Sequence, residues 1–308
     1  MTSSSPPRAA AAVSENLRGA AYMTFAMMAF SVSDIITKSF AGQLGVGQMV
    51  LLRGLFAIVL VFLLARFLGQ MRPLRMAFHP LVAIRSTAEV IASYAFITAL
   101  FHMPIANVSA VMQALPLALT LAAALFFREK VGWRRLSAVA VGFIGVLIIV
   151  RPGAQAFNSY SIYVIAAVLG CVVRDIATRK LTTDIPSLFV ALVTTVLVTA
   201  MGGVLALFQP WMPVNQSHVG LMAACSVFLL TGYYFAVTAM RVGEIGFVSP
   251  FRYSVLLFAI AGGALVFSEI PDGMTLFGSA IVVATGIYTL YRERLVRRQS
   301  ITPAPMRS

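Results

Sequence analysis

Apolar stretches of membrane-crossing length follow one another along almost the whole chain. The hydrocarbon core of a bilayer is about 30 Å thick, so a helix needs roughly 20 apolar residues to cross it. Each stretch here is apolar on all sides, without the two-residue alternation of a half-buried strand. This pattern predicts an all-α integral membrane protein with ten transmembrane helices, at 19–40, 47–68, 80–100, 104–127, 133–150, 160–179, 187–208, 218–240, 247–267 and 273–291.

The pattern of five spans occurs twice. Segment 34–38 (Asp-Ile-Ile-Thr-Lys) returns as 175–179 (Asp-Ile-Ala-Thr-Arg), and many residues of 94–129 return 140 positions later in 234–269. A repeated unit with an odd number of spans enters the membrane from the opposite side, as in many secondary transporters. We therefore expect two inverted five-helix repeats, at 19–151 and 160–291, flanked by a disordered tail at 1–18 and a basic cytoplasmic tail at 292–308.

Composition and charge support a membrane protein and disfavour other classes. The chain is 60% hydrophobic and 11% charged, with a mean hydropathy of +0.91, which a soluble domain of this size would not tolerate. The net charge of +13 is unevenly placed: with a cytoplasmic N-terminus, 18 of the 23 Lys and Arg residues lie on the cytoplasmic side. This follows the positive-inside rule, so the charge indicates topology and attraction to anionic lipid, not a nucleic-acid partner. We expect both termini in the cytoplasm, a location in the inner membrane, and either a monomer or a homodimer.

Cofactor chemistry and enzymatic activity are not indicated. Cys171 and Cys225 lie inside apolar stretches and have neither disulfide-framework nor metal-site spacing. The acidic residues inside the spans are not accompanied by a positioned nucleophile and base. We expect no metal, no cofactor and no catalytic residues.

The second part of each half resembles the EamA-type repeat of the drug/metabolite transporter superfamily. The resemblance is carried by 105–109, Pro116, 127–130, Gly142 and Gly145 in the first copy, and by 245–253, 267–271 and Gly286 in the second. Glu129 and Glu269, which close spans four and nine, match the most recognisable mark of that family. The resemblance implies a cavity lined by spans one, three, four, six, eight and nine, with spans five and ten outside. It also implies a bacterial exporter of small metabolites, most similar to the aromatic amino-acid exporter (YddG-like) branch.

Arg85 and Glu89 are the first candidates for substrate binding. A charged group at the bilayer centre costs roughly 2.5–3.5 kcal/mol, so it needs a partner or a water-filled cavity. The two residues are four positions apart in span three and are expected to pair on one helix face. Either they form a structural pair, or Glu89 meets a substrate ammonium or carries a proton while Arg85 meets a carboxylate.

Asp34 with Lys38 and Asp175 with Arg179 have the same four-residue spacing. Because both repeats contain such a pair, we expect a shared role as gating or helix-end ion pairs that differ between transport states.

Polar and aromatic residues near the span centres complete the candidate site. Pro250 is expected to open span nine so that Arg252 faces the cavity, or Arg252 extends to the interface. Adaptable or polar-tipped side chains could contact a solute or pack between helices, and Tyr94 and Tyr234 are expected on opposite sides of the cavity. These further candidates are Tyr94, Tyr234, Tyr233, Tyr253, Met112 and Gln113.

The sequence therefore predicts a secondary transporter that exports small metabolites, most of all aromatic or neutral amino acids, by alternating access. Its predicted partners are a small-molecule substrate and the lipid bilayer. Export of cationic drugs or nucleosides is the nearest alternative. A channel and a non-transporting membrane interaction subunit are alternatives from other classes.

Overall fold

The apolar stretches form helices. A computed structural model of the protein describes residues 7–126, 132–152, 158–181 and 185–301. The helices are α1 (Pro7–Ser39), α2 (Val46–Phe67), α3 (Pro80–His102), α4 (Ile105–Met112), α5 (Leu115–Phe126), α6 (Trp133–Val150), α7 (Ser161–Lys180), α8 (Ser187–Ala206), α9 (Gln216–Val242), α10 (Ile245–Val248), α11 (Ser254–Phe267) and α12 (Gly273–Ile301). Two 3₁₀ turns cover Leu74–Phe78 and Ser249–Tyr253.

The ten predicted spans are confirmed. Within the described ranges, ten helices are long and apolar enough to cross a membrane, and their ends lie within two residues of the predicted ones except at the first start. That helix begins early: α1 starts at Pro7, so the predicted disordered tail at 1–18 is helical from residue 7 onward. The family's Glu129 falls outside the described residues.

Spans four and nine are interrupted at equivalent places in the two repeats. Span four breaks at Gln113 and Ala114, between α4 and α5; Pro116 lies in the first turn of α5 and cannot donate a backbone hydrogen bond to Met112. Span nine breaks at the 3₁₀ turn that contains Pro250, between α10 and α11. Interrupted helices at membrane depth are tolerated where the freed backbone faces protein or a cavity.

The helices pair across the two repeats with a two-fold pattern. The largest contacts join α1 with α9, α2 with α8, α3 with α7, and α6 with α12, and a smaller one joins α4 with α11. Exchanging each helix with its repeat equivalent (α1 with α7, α3 with α9, and so on) reproduces the same set of contacts. Because each repeat has five alternating spans, this exchange also reverses helix direction, so the repeats are inverted.

Small residues allow these pairs to approach closely. A methyl group on Gly145 would lie 3.0 Å from the carbonyl oxygen of Gly278, across the α6–α12 contact. One on Gly202 would lie 2.7 Å from the backbone nitrogen of Leu51, across the α2–α8 contact. Close van der Waals packing of this kind is a main driving force for helix association in lipid.

Candidate solute site

A cavity of about 290 Å³ opens between the two repeats. It lies toward the end of the bundle where α1 begins and α12 ends, which we name the terminal end; the opposite end is the far end. α4, α5, α7 and the 3₁₀ turn before α11 line it, with single residues from α6 and α12. It brings together six predicted site residues: Met112, Gln113, Asp175, Arg179, Arg252 and Tyr253. The outer helices α6 and α12 thus reach the cavity, whereas the resemblance implied that they lie outside.

Repeat equivalents meet in this cavity. Met112 corresponds to Arg252, and Gln113 to Tyr253, each 140 positions apart and each at a helix break. Gln113 is 8% exposed and Tyr253 6% exposed, yet Gln113 Nε2 and the Tyr253 hydroxyl have no hydrogen-bond partner in the described structure. A buried polar atom without a partner is costly, and such atoms mark places where water or a ligand is expected.

Gly286 on α12 determines where Tyr253 can lie. A methyl group on this glycine would overlap the Tyr253 hydroxyl, so the ring is seated against bare backbone. Gly286 is buried, and only glycine leaves room for this rotamer.

The charges on the cavity are unevenly matched. Asp175 is held by Arg174, whose Nε donates to Asp175 Oδ1 at 2.7 Å. Arg135 donates to the Thr120 hydroxyl at 3.3 Å. Arg252 is exposed to the cavity and makes no hydrogen bond or ion pair with any described residue. The lining therefore offers an unneutralised guanidinium to an anionic group, beside a carboxylate that can meet an ammonium.

Glu89 and Arg85 do not pair with each other, so that prediction is wrong. Glu89 accepts from Arg174 at 3.0 Å, so that Arg174 bridges Glu89 on α3 and Asp175 on α7. Arg85 instead donates to the hydroxyls of Thr178 and Thr194, at 3.0 and 2.6 Å. Helix packing has placed better partners on neighbouring helices than the spacing along α3 provides.

The tyrosines are divided between different surroundings. Tyr233 makes edge contact with Phe30 at 5.2 Å and lies within the electrostatic influence of Glu89, Arg174 and Arg85. Tyr94 is half-buried and packs edge-on against Tyr163 at 6.3 Å. Tyr234 is 64% exposed. Neither Tyr94 nor Tyr234 lines the cavity, so the structure does not bring these two together across it as predicted.

The far end is closed by a cluster around Lys38. The Lys38 ammonium lies 2.8 Å from Glu269 Oε1 and also donates to the Met103 carbonyl oxygen. Glu269 accepts a second bond from the Ile105 backbone N–H at 3.0 Å, at the start of α4. In this state Lys38 therefore pairs with Glu269 and not with Asp34, its neighbour at the four-residue spacing. The same holds for Asp175, whose partner among the described ion pairs is Arg174 instead of Arg179.

A second ion pair lies at the surface of the far end. Arg151, after α6, donates to Asp272 Oδ1 at 2.6 Å. This hydrogen bond, with two from Thr275, lowers the pKa of the Asp272 carboxyl to about 2. The carboxylate therefore stays charged at any ordinary pH.

Repeat symmetry shows that the two ends differ in state. Asp175 and Arg179 line the open cavity, and Arg179 is exposed. Their equivalents at the far end are Asp34 and Lys38, and Lys38 is 8% exposed and locked to Glu269. The structure is therefore open at the terminal end and closed at the far end, as expected for one state of an alternating-access carrier.

Arg174 and Glu269 are the site residues that the sequence analysis missed. Arg174 is one of the 18 basic residues assigned to the cytoplasmic side, although it lies six positions before the end of α7. That depth could have identified it as a buried charge. Glu269 was noted only as a family mark, and no local pattern indicates that it contacts Lys38.

Comparison with known proteins identifies both halves. The model of the EamA-like transporter family matches residues 17–151 and again 158–292. A crystal structure of another protein aligns with a TM-score of 0.60 at 15% identity, covering 96% of this chain and 100% of that one, which supports the fold alone.

The curated relatives are transporters of different solutes. A riboflavin transporter of Vibrio cholerae is 29% identical, covering 92% of this chain and 96% of its own length. An S-adenosylmethionine uptake transporter of Rickettsia conorii is 23% identical, covering 90% and 94%. A pseudopaline exporter of Pseudomonas aeruginosa is 26% identical, covering 87% and 94%.

Proposed function

The chain belongs to the EamA-like transporter family, and we propose that it exports small zwitterionic metabolites, amino acids first, across the inner membrane. It is a multi-pass membrane transporter and not an enzyme, since the family and its relatives are transporters. The finer assignment rests on the cavity.

The observation that carries the proposal is the set of polar groups on the cavity. Arg252 has no described partner and suits a carboxylate. Asp175 lines the same space; Arg174 donates to its Oδ1, and its Oδ2, which has no described bond, can accept from an ammonium. The two opposite charges match the two ends of an amino acid. The cavity of about 290 Å³ is also at the small end of ligand pockets, which favours a small metabolite.

Cationic drugs fit this lining less well. Arg252 has no described partner and is exposed to the cavity, so its guanidinium repels a solute that carries only positive charge.

The direction in which the cavity opens matches the state in which an exporter would load its solute. The terminal end is the cytoplasmic side if the positive-inside rule holds, and the cavity opens there while Lys38 and Glu269 close the far end. A solute would enter from the cytoplasm, and the rocking of one repeat against the other would then expose it on the opposite side.

A proteoliposome substrate panel tests the proposal. The purified protein is reconstituted, and counterflow of labelled phenylalanine, leucine and glutamate is compared with that of tetraphenylphosphonium and uridine. We expect counterflow of at least one amino acid, reduced by Arg252→Gln and unaffected by Arg66→Gln, an exposed arginine at the end of α2. Flux of the cation or the nucleoside without amino-acid flux would favour the rival substrates. Flux without counterflow would indicate a channel, and no saturable flux would indicate a non-transporting subunit.

A further inference from the structure

Asp34 differs from the other carboxylates that lie deep within the described helices. Glu89 and Asp175 are both held by Arg174, at 3.0 and 2.7 Å. Asp34, on α1, makes no hydrogen bond or ion pair with any described residue and is only half-buried. It is thus a half-buried acid without a partner among the described helices.

The surroundings of Asp34 explain why it stays unpartnered. Lys38 lies one turn further along α1, but its ammonium is bound by Glu269 beyond the end of α11 and by the Met103 carbonyl oxygen. From α9, Cys225 is engaged by the Ser33 and Thr37 hydroxyls. Arg53 on α2 is a nearby cation, but it makes no ion pair with Asp34.

The equivalent acid in the second repeat shows that the absence of a partner is particular to Asp34. Asp175 is the equivalent of Asp34, and its neighbour Arg174 neutralises it. The residue equivalent to Arg174 is Ser33, which carries no charge. The two repeats thus share the acid, but only the second repeat neutralises it.

We propose that Asp34 binds and releases one proton in each transport cycle and so couples solute movement to the proton gradient. The proposal rests on the proposed transport function and names the coupling site within it. Deep in a bilayer, an acid without a partner is stabilised by protonation when its surroundings are dry and by ionisation when they are wet. The carboxylate takes a proton from hydronium to give a carboxylic acid and water, and the reverse step releases it. Glu89, the earlier candidate for proton coupling, is a structural partner of Arg174 in this scheme.

Flux measurements under a pH gradient test the coupling. Asp34→Asn, Glu89→Gln and Glu15→Gln are compared in proteoliposomes; Glu15 is an exposed acid on the same helix as Asp34 and is the matched control. We expect a pH gradient to accelerate flux in the wild type and in Glu15→Gln. Asp34→Asn should lose this acceleration while it still catalyses counterflow, which needs no gradient. Full acceleration in Asp34→Asn would overturn the proposal.

A spectroscopic titration tests Asp34 without any assumption about the solute. Infrared difference spectra of the reconstituted protein are recorded as the pH is raised, and the carbonyl band of a protonated carboxylic acid is followed. We expect a band that titrates in the wild type and in Glu89→Gln but is missing from Asp34→Asn. If the band persists in Asp34→Asn, Asp34 is not the proton site, whatever the substrate. A titrating band together with no counterflow of any tested amino acid would instead reject the proposed substrate and retain the proton site.

Discussion

Neutralising Glu269 should release the closed far end. Lys38 is 8% exposed and Glu269 26% exposed, and they are joined at 2.8 Å. In Glu269→Gln the side chain keeps an oxygen for the Ile105 N–H, so the substitution removes the ion pair and little else. Breaking a fully buried pair costs about 3–5 kcal/mol. Because Glu269 is partly exposed and Lys38 keeps its bond to Met103, we expect about 2 kcal/mol here.

That magnitude predicts a measurable change in the populations of the two states. About 2 kcal/mol corresponds to roughly a 30-fold shift of the equilibrium toward the state open at the far end. A ratio of about 1:99 between open and closed far ends would become roughly 1:3. This shift arises only if the Lys38–Glu269 pair forms in one state and is absent from the other.

Distances between spin labels can report this shift. Labels at Ala41, after α1, and Ile270, after α11, straddle the far end, and the native cysteines are replaced by Cys171→Ala and Cys225→Ser. We expect a second, longer distance to gain population in Glu269→Gln.

Asp272→Asn is the matched control for this experiment. It removes an ion pair at the same end whose carboxylate is 54% exposed. Exposed pairs contribute at most about 1 kcal/mol, so the control should change the distances little. Unchanged distances in Glu269→Gln, or an equal change in Asp272→Asn, would refute the role of Lys38 and Glu269 as a gate.

Three further predictions concern the cavity and the far end. Arg252→Gln should raise KM for a carboxylate-bearing solute about tenfold to a hundredfold, since a hydrogen bond to a charged group contributes about 1.5–3 kcal/mol. An unchanged KM in counterflow would mean that the solute binds elsewhere. Gly286→Ala should lower the Tm in detergent because its methyl group would overlap the Tyr253 hydroxyl and lie 2.5 Å from the ring carbon Cζ. The same substitution should lower the Tm less in a Tyr253→Ala background, which lacks the ring. An equal loss in both backgrounds would mean that the overlap is not the cause. The pKa of Asp272 is lowered to about 2 in the folded protein. Its pairing with Arg151 therefore contributes fully to the free energy of unfolding above the unfolded-state pKa, near 3.9, and this contribution is lost as the pH falls through about 2. The effect of Asp272→Asn on Tm should therefore be the same at about pH 8 and about pH 5, and a difference between them would contradict this pKa.

The spans and their inverted repetition could be predicted because both depend on local or repeated patterns. An all-apolar run of about 20 residues can satisfy its backbone in lipid only as a helix, so the run fixes the span. The break in span nine was likewise indicated by Pro250. The start of α1 was missed because the Ala-rich segment before residue 19 resembles a tail in composition but is helical in the structure.

Most ion-pair partners could not be predicted because they come from distant parts of the chain. The four-residue rule finds only neighbours on one helix, as for Arg85 and Glu89. Helix packing brought Arg174 from α7 to Glu89, and Glu269 from the end of α11 to Lys38. Repeat symmetry was more informative than spacing: Gln113 and Tyr253 were both nominated, and as repeat equivalents they line one cavity.

The most direct test of the account asks whether one cavity is reached from both sides of the membrane in turn. A single cysteine replaces Gln113, in the background lacking Cys171 and Cys225, and a membrane-impermeant maleimide is applied to right-side-out and to inside-out vesicles. The account predicts labelling from either side, slowed by a transported solute, and faster labelling from the far side when Glu269→Gln is added. Labelling from one side only, in every variant and with or without solute, would contradict alternating access around this cavity.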